Sequence, residues 1–257
     1  MVAVGRLRFG ILFRPFPNGD TPMRVLSLFA GIGGIELGLE RAGRTTVGQV
    51  ELDPWCRTVL AKHWPDVPQH DDVVTAPEWW TSTERPTVDI ICGGFPCQDL
   101  SFAGKRAGID GERSGLWSEY VRAIRALRPR YILVENVPGL LTNEYMGRVL
   151  GDLAASGYDA EWDCLPAAKC GAPHRRERVW IVADSKRRLL GRIWNEIEKE
   201  GPRYRHELLG DISGLSWREA VAKFYRMDDG IPDWAHRNRA LGNAIVPQIA
   251  EWIGRQI

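Results

Sequence analysis

The stretch Arg24-Val-Leu-Ser-Leu-Phe29 followed by Ala30-Gly-Ile-Gly-Gly34 is a short apolar run that stops in a glycine-rich turn. Ile35, Leu37, Leu39 and Ala42 then recur with helical spacing until Gly43. A buried strand, a glycine turn and an amphipathic helix, in that order, form the opening unit of a parallel α/β sheet. The alternation continues along the chain. Thr46 to Glu51 reads as a second strand and Trp55 to Trp64 as a second helix, and Val88 to Cys92 reads as a third strand. Leu116 to Leu127 has helical spacing with Pro129 beyond its end, Tyr131 to Glu135 is a further strand, Met146 to Ala155 a helix and Val179 to Val182 a strand. The predicted fold is therefore α/β: a doubly wound, mostly parallel sheet with helices on both faces. Such sheets bind ligands in the crevice outside the carboxyl ends of their strands.

The pattern weakens after Asp184, and residues 185–236 are polar, mixed in charge and dotted with aromatics. Ile245 to Ile253 regains helical spacing and predicts a terminal helix that packs back on the sheet. Before the first strand, residues 1–23 carry Arg6, Arg8 and Arg14 among scattered apolar residues and prolines. They lack a continuous apolar core ending in small residues, so they are expected to be a dispensable arm rather than a secretory signal.

Composition narrows the class. The 257 residues contain 34 Lys and Arg against 33 Asp and Glu, a net charge of +1, with 44% hydrophobic and 26% charged residues. That is the profile of a folded globular protein, and no apolar run approaches the roughly 20 residues of a membrane-spanning helix. The near-neutral total conceals a division. Residues 24–100 carry 6 basic and 11 acidic side chains, net −5, whereas residues 101–188 carry 15 and 11, net +4. A cationic ligand suits the first segment and a polyanion the second. The five cysteines, Cys56, Cys92, Cys97, Cys164 and Cys170, form no C-x-x-C pair. Neither a disulfide framework nor a zinc site is expected, and a reducing compartment fits best.

The strand ends hold the candidate chemistry. The glycine turn allows close backbone approach to a ligand, although Glu36 breaks the dinucleotide fingerprint G-x-G-x-x-G. Glu51, at the end of the second strand, suits ribose hydroxyls, and Asp72 is placed to meet an adenine amino group. Gly93-Gly-Phe-Pro-Cys-Gln98 puts the Cys97 thiol in a turn after the third strand, followed by a long polar loop with Lys105, Arg106 and Arg113 that reads as a basic lid. The other four cysteines are expected to be inert core residues. Glu135 ends an apolar strand predicted to lie beside the Cys97 strand, where burial would raise its pKa enough to hold a proton. In the extended segment before the last strand, Arg176 and Arg178 share one face.

Taken together, Gly94-Phe-Pro-Cys-Gln-Asp-Leu-Ser101, Ile132-Leu-Val-Glu-Asn-Val137, Arg176-Glu-Arg178 and Gly242-Asn243 resemble the cytosine-carbon-5 DNA methyltransferases, the short bacterial and phage members most of all. The resemblance implies S-adenosylmethionine as methyl donor and no metal. It implies cofactor contacts at Phe29, Gly31, Ile32, Gly33, Glu51, Leu52, Asp72, Val73, Pro96, Asn243 and Ala244. It makes Cys97 the nucleophile, with Glu135 and Arg178 as catalytic partners, and assigns Gln98, Ser101, Lys105, Arg106, His174 and Arg176 to the DNA. Position 174 is His where much of the family has Gln, which adds pH sensitivity.

In these terms residues 24–184 form the catalytic and cofactor-binding domain, and residues 185–236 a small target-recognition region. Residues 237–257 return to the catalytic domain. The implied partner is double-stranded DNA, whose target cytosine is flipped out of the helix, within a restriction-modification system that includes a cognate endonuclease. The expected protein is a monomer of a bacterial or phage-infected cytoplasm. Two other readings use the same residues: methylation of transfer RNA cytosine, or a catalytically weak cofactor-binding protein associated with DNA.

Overall fold

The computed structural model describes residues 22–96, 115–141, 143–170, 176–186 and 245–257. Its centre is a seven-stranded sheet in the order β3-β2-β1-β4-β5-β7-β6. These strands are β1 (Arg24–Leu28), β2 (Thr45–Val50), β3 (Gln69–His70), β4 (Ile90–Gly93), β5 (Tyr131–Asn136), β6 (Asp159–Pro166) and β7 (Glu177–Asp184). All neighbours pair in parallel except β7, which runs antiparallel to both β5 and β6. The predicted mostly parallel sheet is thus present, with one reversed strand near an edge.

The apolar runs bury both faces because successive side chains alternate across a strand. On one face Leu26, Leu28, Ile91, Ile132, Val134 and Ile181 pack against α3 (Ala76–Thr81), α4 (Leu116–Leu127) and α5 (Asn143–Ala155). On the other, Val25, Ile90, Cys92, Leu133, Trp180 and Val182 meet α1 (Gly34–Arg41) and the terminal helix α6 (Pro247–Gln256). The expected return of the terminal helix to the sheet is therefore observed. It lies on α1 so closely that a β-carbon added to Gly38 would strike the Pro247 carbonyl. The remaining helix, α2 (Pro54–His63), starts where Asp53 accepts hydrogen bonds from the backbone N–H groups of Trp55 and Cys56 at 2.8 and 3.2 Å, an N-cap reinforced by Pro54.

Three elements lie outside the sequence expectations. Strand β3 is two residues long, too short to leave a periodic signal. Helix α3 places Pro77 in its first turn, where a missing N–H costs nothing. Strand β6 pairs only with β7 and forms an edge; its Asp159, Glu161 and Asp163 make it polar enough to hide from a search for apolar runs. Among the tryptophans of the helices and strands, Trp117 and Trp180 are fully buried, while Trp55 and Trp252 are half-buried. Trp80 joins them as a core residue.

Candidate active site at the switch point of the sheet

Strand order reverses between β1 and β4, so the loops leaving their carboxyl ends splay apart and open a cleft. On the β1 side the chain turns with positive φ at Phe29 (56°), Gly31 (56°) and Gly33 (88°). Gly33 has a second requirement, because an added β-carbon would overlap the Trp64 ring beneath it. The space above Gly31 is open, with nothing within 4 Å of a built β-carbon. Glu51 holds this turn in place: one carboxylate oxygen accepts from Gly31 N–H at 2.7 Å and the other from Asp53 N–H at 2.8 Å. Beside it Leu52 is 74% exposed, an unusual display for a large aliphatic side chain. Asp72 follows β3, and its Oδ1 accepts from Val74 N–H at 2.8 Å, while Val73 turns into the core. Ile32 and Pro96 are half-buried at the cleft.

This set of groups fits an adenosyl cation. Two carboxylates stand in a locally acidic segment, an apolar shelf is exposed between them, and the glycine turn leaves room for close approach. Behind the cleft, Phe29, Tyr120, Trp117 and Phe95 form a chain of ring contacts with centroid separations of 6.4, 5.5 and 5.0 Å. Tyr120 and Trp117 are anchored by hydrogen bonds to the Leu133 carbonyl (3.2 Å) and Asp152 (2.9 Å). The wall that joins the β1 and β4 loops is therefore rigid.

On the β4 side, the parallel register sets Gly93 opposite Val134, which brings Gly94 alongside Glu135. A β-carbon on Gly94 would lie 2.9 Å from Glu135 Oε2. Glu135 is only 8% exposed, and its other oxygen pairs with Arg178 Nε at 2.9 Å. Burial raises the Glu135 carboxyl pKa above the usual carboxylate range, while Arg178 and Arg176 oppose that rise. The charges of both arginines act on this one carboxyl. Next in the chain, Asn136 Nδ2 donates to the Phe95 carbonyl at 3.2 Å, and its Oδ1 accepts from Val137 N–H at 2.8 Å. Strand β5 thereby grips the turn immediately before Pro96 and Cys97.

Several expected site residues lie outside the described residues: Cys97, Gln98, Ser101, Lys105, Arg106, His174, Asn243 and Ala244, together with most of the 185–236 region and the arm before Thr21. Ile245, two residues after Asn243, touches both halves of the cleft: a β-carbon on Gly34 would lie 2.6 Å from its carbonyl oxygen, and one on Gly94 3.8 Å from its Cδ1. Of the other cysteines, burial raises the thiol pKa of Cys56 to about 12, of Cys92 well above its ordinary value, and of Cys164 less far. None of these three is primed as a thiolate.

The residues expected at the site do not include Gly94, Asn136 and Ile245. The signal for Asn136 was present in Glu135-Asn-Val137. Gly94 and Ile245 become neighbours of Glu135 only through strand register and the return of α6.

Residues 23–231 match a family described as C-5 cytosine-specific DNA methylase. Among curated relatives, the Type II methyltransferase M2.BsuMI of Bacillus subtilis is 43% identical over 171 residues, covering 63% of this chain and 42% of its own length. The Type II methyltransferase M.Eco47II of Escherichia coli is 38% identical over 215 residues, covering 81% and 48%. The chain thus spans less than half the length of either relative. Among solved structures, a putative DNA modification methyltransferase encoded within an E. coli prophage aligns with a TM-score of 0.55 at 28% identity, covering 64% of this chain and 47% of that one. S. pombe Dnmt2 methyltransferase shares the fold, with a TM-score of 0.57 at 20% identity over 72% of this chain and 57% of its own.

Proposed function

Because the chain belongs to the C-5 cytosine-specific DNA methylase family, we propose that it transfers a methyl group from S-adenosylmethionine to carbon 5 of cytosine in duplex DNA. The observation that carries this reading is the buried Glu135, paired with Arg178 and set one strand away from the turn that leads into Cys97. Carbon 5 of cytosine is too weak a nucleophile to take a methyl group unaided. In the proposed reaction the Cys97 thiolate adds to carbon 6, while Glu135 holds a proton at ring nitrogen 3, leaving an electron-rich enamine at carbon 5. When bound, the cofactor supplies an electrophilic methyl group. Loss of the carbon-5 proton then restores the double bond and expels Cys97. Arg178 keeps the Glu135 carboxyl oriented, and Asn136 holds the Phe95–Pro96 turn that leads into Cys97.

The cofactor is assigned to the β1 side of the cleft, with Glu51 and Leu52 at the ribose and adenine, Phe29 and the glycine turn beneath, and Asp72 at its rim. Val73, Pro96, Asn243 and Ala244 complete that assignment. The basic 101–188 segment, including Gln98, Ser101, Lys105, Arg106, His174 and Arg176, is assigned to DNA, with the target base flipped into the cleft because carbon 5 is unreachable inside the stack. Residues 185–236 would read the target sequence. The Type II relatives support DNA over transfer RNA as substrate. The same reading takes the protein as a monomer of a bacterial or phage-infected cytoplasm, in a restriction-modification setting with a cognate endonuclease.

The test is direct. Incubation with methyl-labelled S-adenosylmethionine and either duplex DNA or transfer RNA, followed by digestion, is expected to yield labelled 5-methylcytosine from the duplex alone. Label in the RNA and none in any DNA would overturn the reading. Duplex DNA carrying 5-fluorocytosine is expected to trap a covalent complex with the native chain and none with Cys97→Ser.

A further inference from the structure

Strand β3 is joined to β2 by the pairs Gln49–Gln69 and Val50–His70, extended by Glu51 N–H donating to the His70 carbonyl at 2.9 Å. A two-residue edge strand gives little backbone support to the loop that leaves it, Asp71 to Thr75, which carries Asp72. Side chains close that loop instead. His70 Nε2 and Thr75 Oγ1 share a hydrogen bond of 2.7 Å, which ties the residue before the loop to its last residue. With its proton on Nε2, His70 donates to the Thr75 hydroxyl, which donates onward to the Asp72 carbonyl at 3.4 Å. Thr75 N–H donates to the same carbonyl at 3.3 Å, and Asp72 Oδ1 accepts from Val74 N–H at 2.8 Å. The imidazole is itself held: it stacks on Trp79 of α3, with centroids 4.8 Å apart and planes 9° from parallel. The Arg85 guanidinium lies 4.0 Å from the centre of the same Trp79 ring. Thr75 is also the N-cap of α3, a position where a threonine oxygen ordinarily accepts from a backbone N–H of the first turn. Among the described residues it makes no such bond, and its hydroxyl is turned to His70. The helix forgoes a cap in favour of a bond across the loop.

We propose that His70 and Thr75 are positioning residues whose shared hydrogen bond fixes the Asp72 carboxylate, so that the cleft selects a purine with an amino group on carbon 6 over one with a carbonyl there. The inference rests on the assignment of Asp72 to the adenine of the methyl donor. An ionised carboxylate only accepts hydrogen bonds, and the adenine amino group supplies a donor. Hypoxanthine presents an oxygen at the same place, and two acceptors brought face to face repel. Both effects depend on how firmly the carboxylate is held. A carboxylate free to swing aside loses the bond to adenine and escapes the repulsion from hypoxanthine, so a loosened loop blurs the choice. His70 and Thr75 act on the base through Asp72.

Calorimetric titration of the full chain with S-adenosylhomocysteine and with S-inosylhomocysteine, which carry a 6-amino and a 6-oxo group respectively, reads the preference as a ratio of affinities. His70→Phe keeps a ring against Trp79 and removes the nitrogen, whereas Thr75→Val keeps the shape and removes the hydroxyl. Each is expected to lower the adenosyl-to-inosyl ratio by about three- to tenfold, the worth of one hydrogen bond. The double variant is expected to fall no further than either single one, because both remove the same bond. Thr75→Ser returns the hydroxyl and is expected to restore the native ratio. A loop that merely supports the fold would weaken both ligands alike and keep the ratio, and that result refutes the proposal. A native ratio in His70→Phe and Thr75→Val, beside a lost preference in Asp72→Ala, overturns the positioning role and leaves the Asp72 assignment standing. An unchanged ratio in Asp72→Ala overturns the assignment itself, and the proposal with it.

Discussion

Gly94 and Glu135 occupy neighbouring places on adjacent parallel strands, so close that a β-carbon on Gly94 would sit 2.9 Å from Glu135 Oε2. The absence of a side chain at position 94 therefore leaves the Glu135 carboxyl its place against Arg178. A methyl group there must push the carboxyl by a few tenths of an ångström, and the short pair to Arg178 opposes the movement. Gly94→Ala is expected to fold, because the nearest obstacle is a side-chain tip and the Glu135 carbonyl oxygen lies at 3.3 Å, yet to transfer methyl groups at least about tenfold more slowly. Steady-state transfer to duplex DNA, alongside an unchanged thermal midpoint, checks this.

The pair itself gives the next expectation. Glu135→Gln preserves shape but cannot cycle a proton, and a loss of about 10²- to 10⁴-fold in rate is expected for removing a general acid. Arg178→Ala acts differently. Arg178 lowers the Glu135 pKa against the rise caused by burial, so its removal leaves the carboxyl protonated to still higher pH. The pH-rate profile of Arg178→Ala is therefore expected to move its Glu135-dependent limb to higher pH as well as falling in amplitude. A profile that only falls would mean that Arg178 does not tune this carboxyl.

Glu51 ties two backbone amides with its two oxygens, joining the glycine turn to the start of α2. Glu51→Ala removes both bonds and the local negative charge. Charge-assisted hydrogen bonds contribute about 1.5–3 kcal/mol each, so S-adenosylmethionine binding is expected to weaken by at least tenfold, measured by calorimetry. Glu51→Gln keeps one acceptor oxygen for Gly31 and is expected to fall between the native chain and Glu51→Ala.

These residues also show what a sequence discloses and what it hides. Leu26, Ile91, Ile132 and their neighbours form apolar runs long enough to identify central strands, and the strand-end rule then singles out Glu51 and Glu135. Strand β6 escaped because an edge strand covered on one side keeps Asp159, Glu161 and Asp163 in its alternation. The meeting of Gly34 and Gly94 at Ile245 escaped because it depends on a contact across more than 150 residues, made only once α6 returns to α1. In the sequence Glu36 is visible only as the residue that breaks a glycine fingerprint; its burial follows from helical phase, since it follows Ile35 and precedes Leu39 on the face of α1 turned to the sheet.

That burial has a thermodynamic consequence independent of any ligand. The Glu36 carboxyl rises from 4.5, its ordinary value, to about 7 in the folded chain. A carboxyl whose pKa is higher in the folded state is more easily protonated there than in the unfolded chain, so the folded form is favoured where the group is neutral. The stabilisation is fully present below about pH 4.5, declines as pH rises towards 7, and is gone above that value. At 1.36 kcal/mol per pKa unit the whole effect amounts to about 3 kcal/mol. Glu36→Gln is permanently neutral and keeps the side chain's shape. It is expected to equal the native chain in stability near pH 4 and to exceed it by about 3 kcal/mol at pH 8, in urea unfolding followed by tryptophan fluorescence. Cys92, the buried thiol whose pKa Glu36 also raises, stays protonated across this range, so the difference between the two curves follows the Glu36 proton. A pH-independent difference would show that Glu36 is charged throughout and is compensated within the fold.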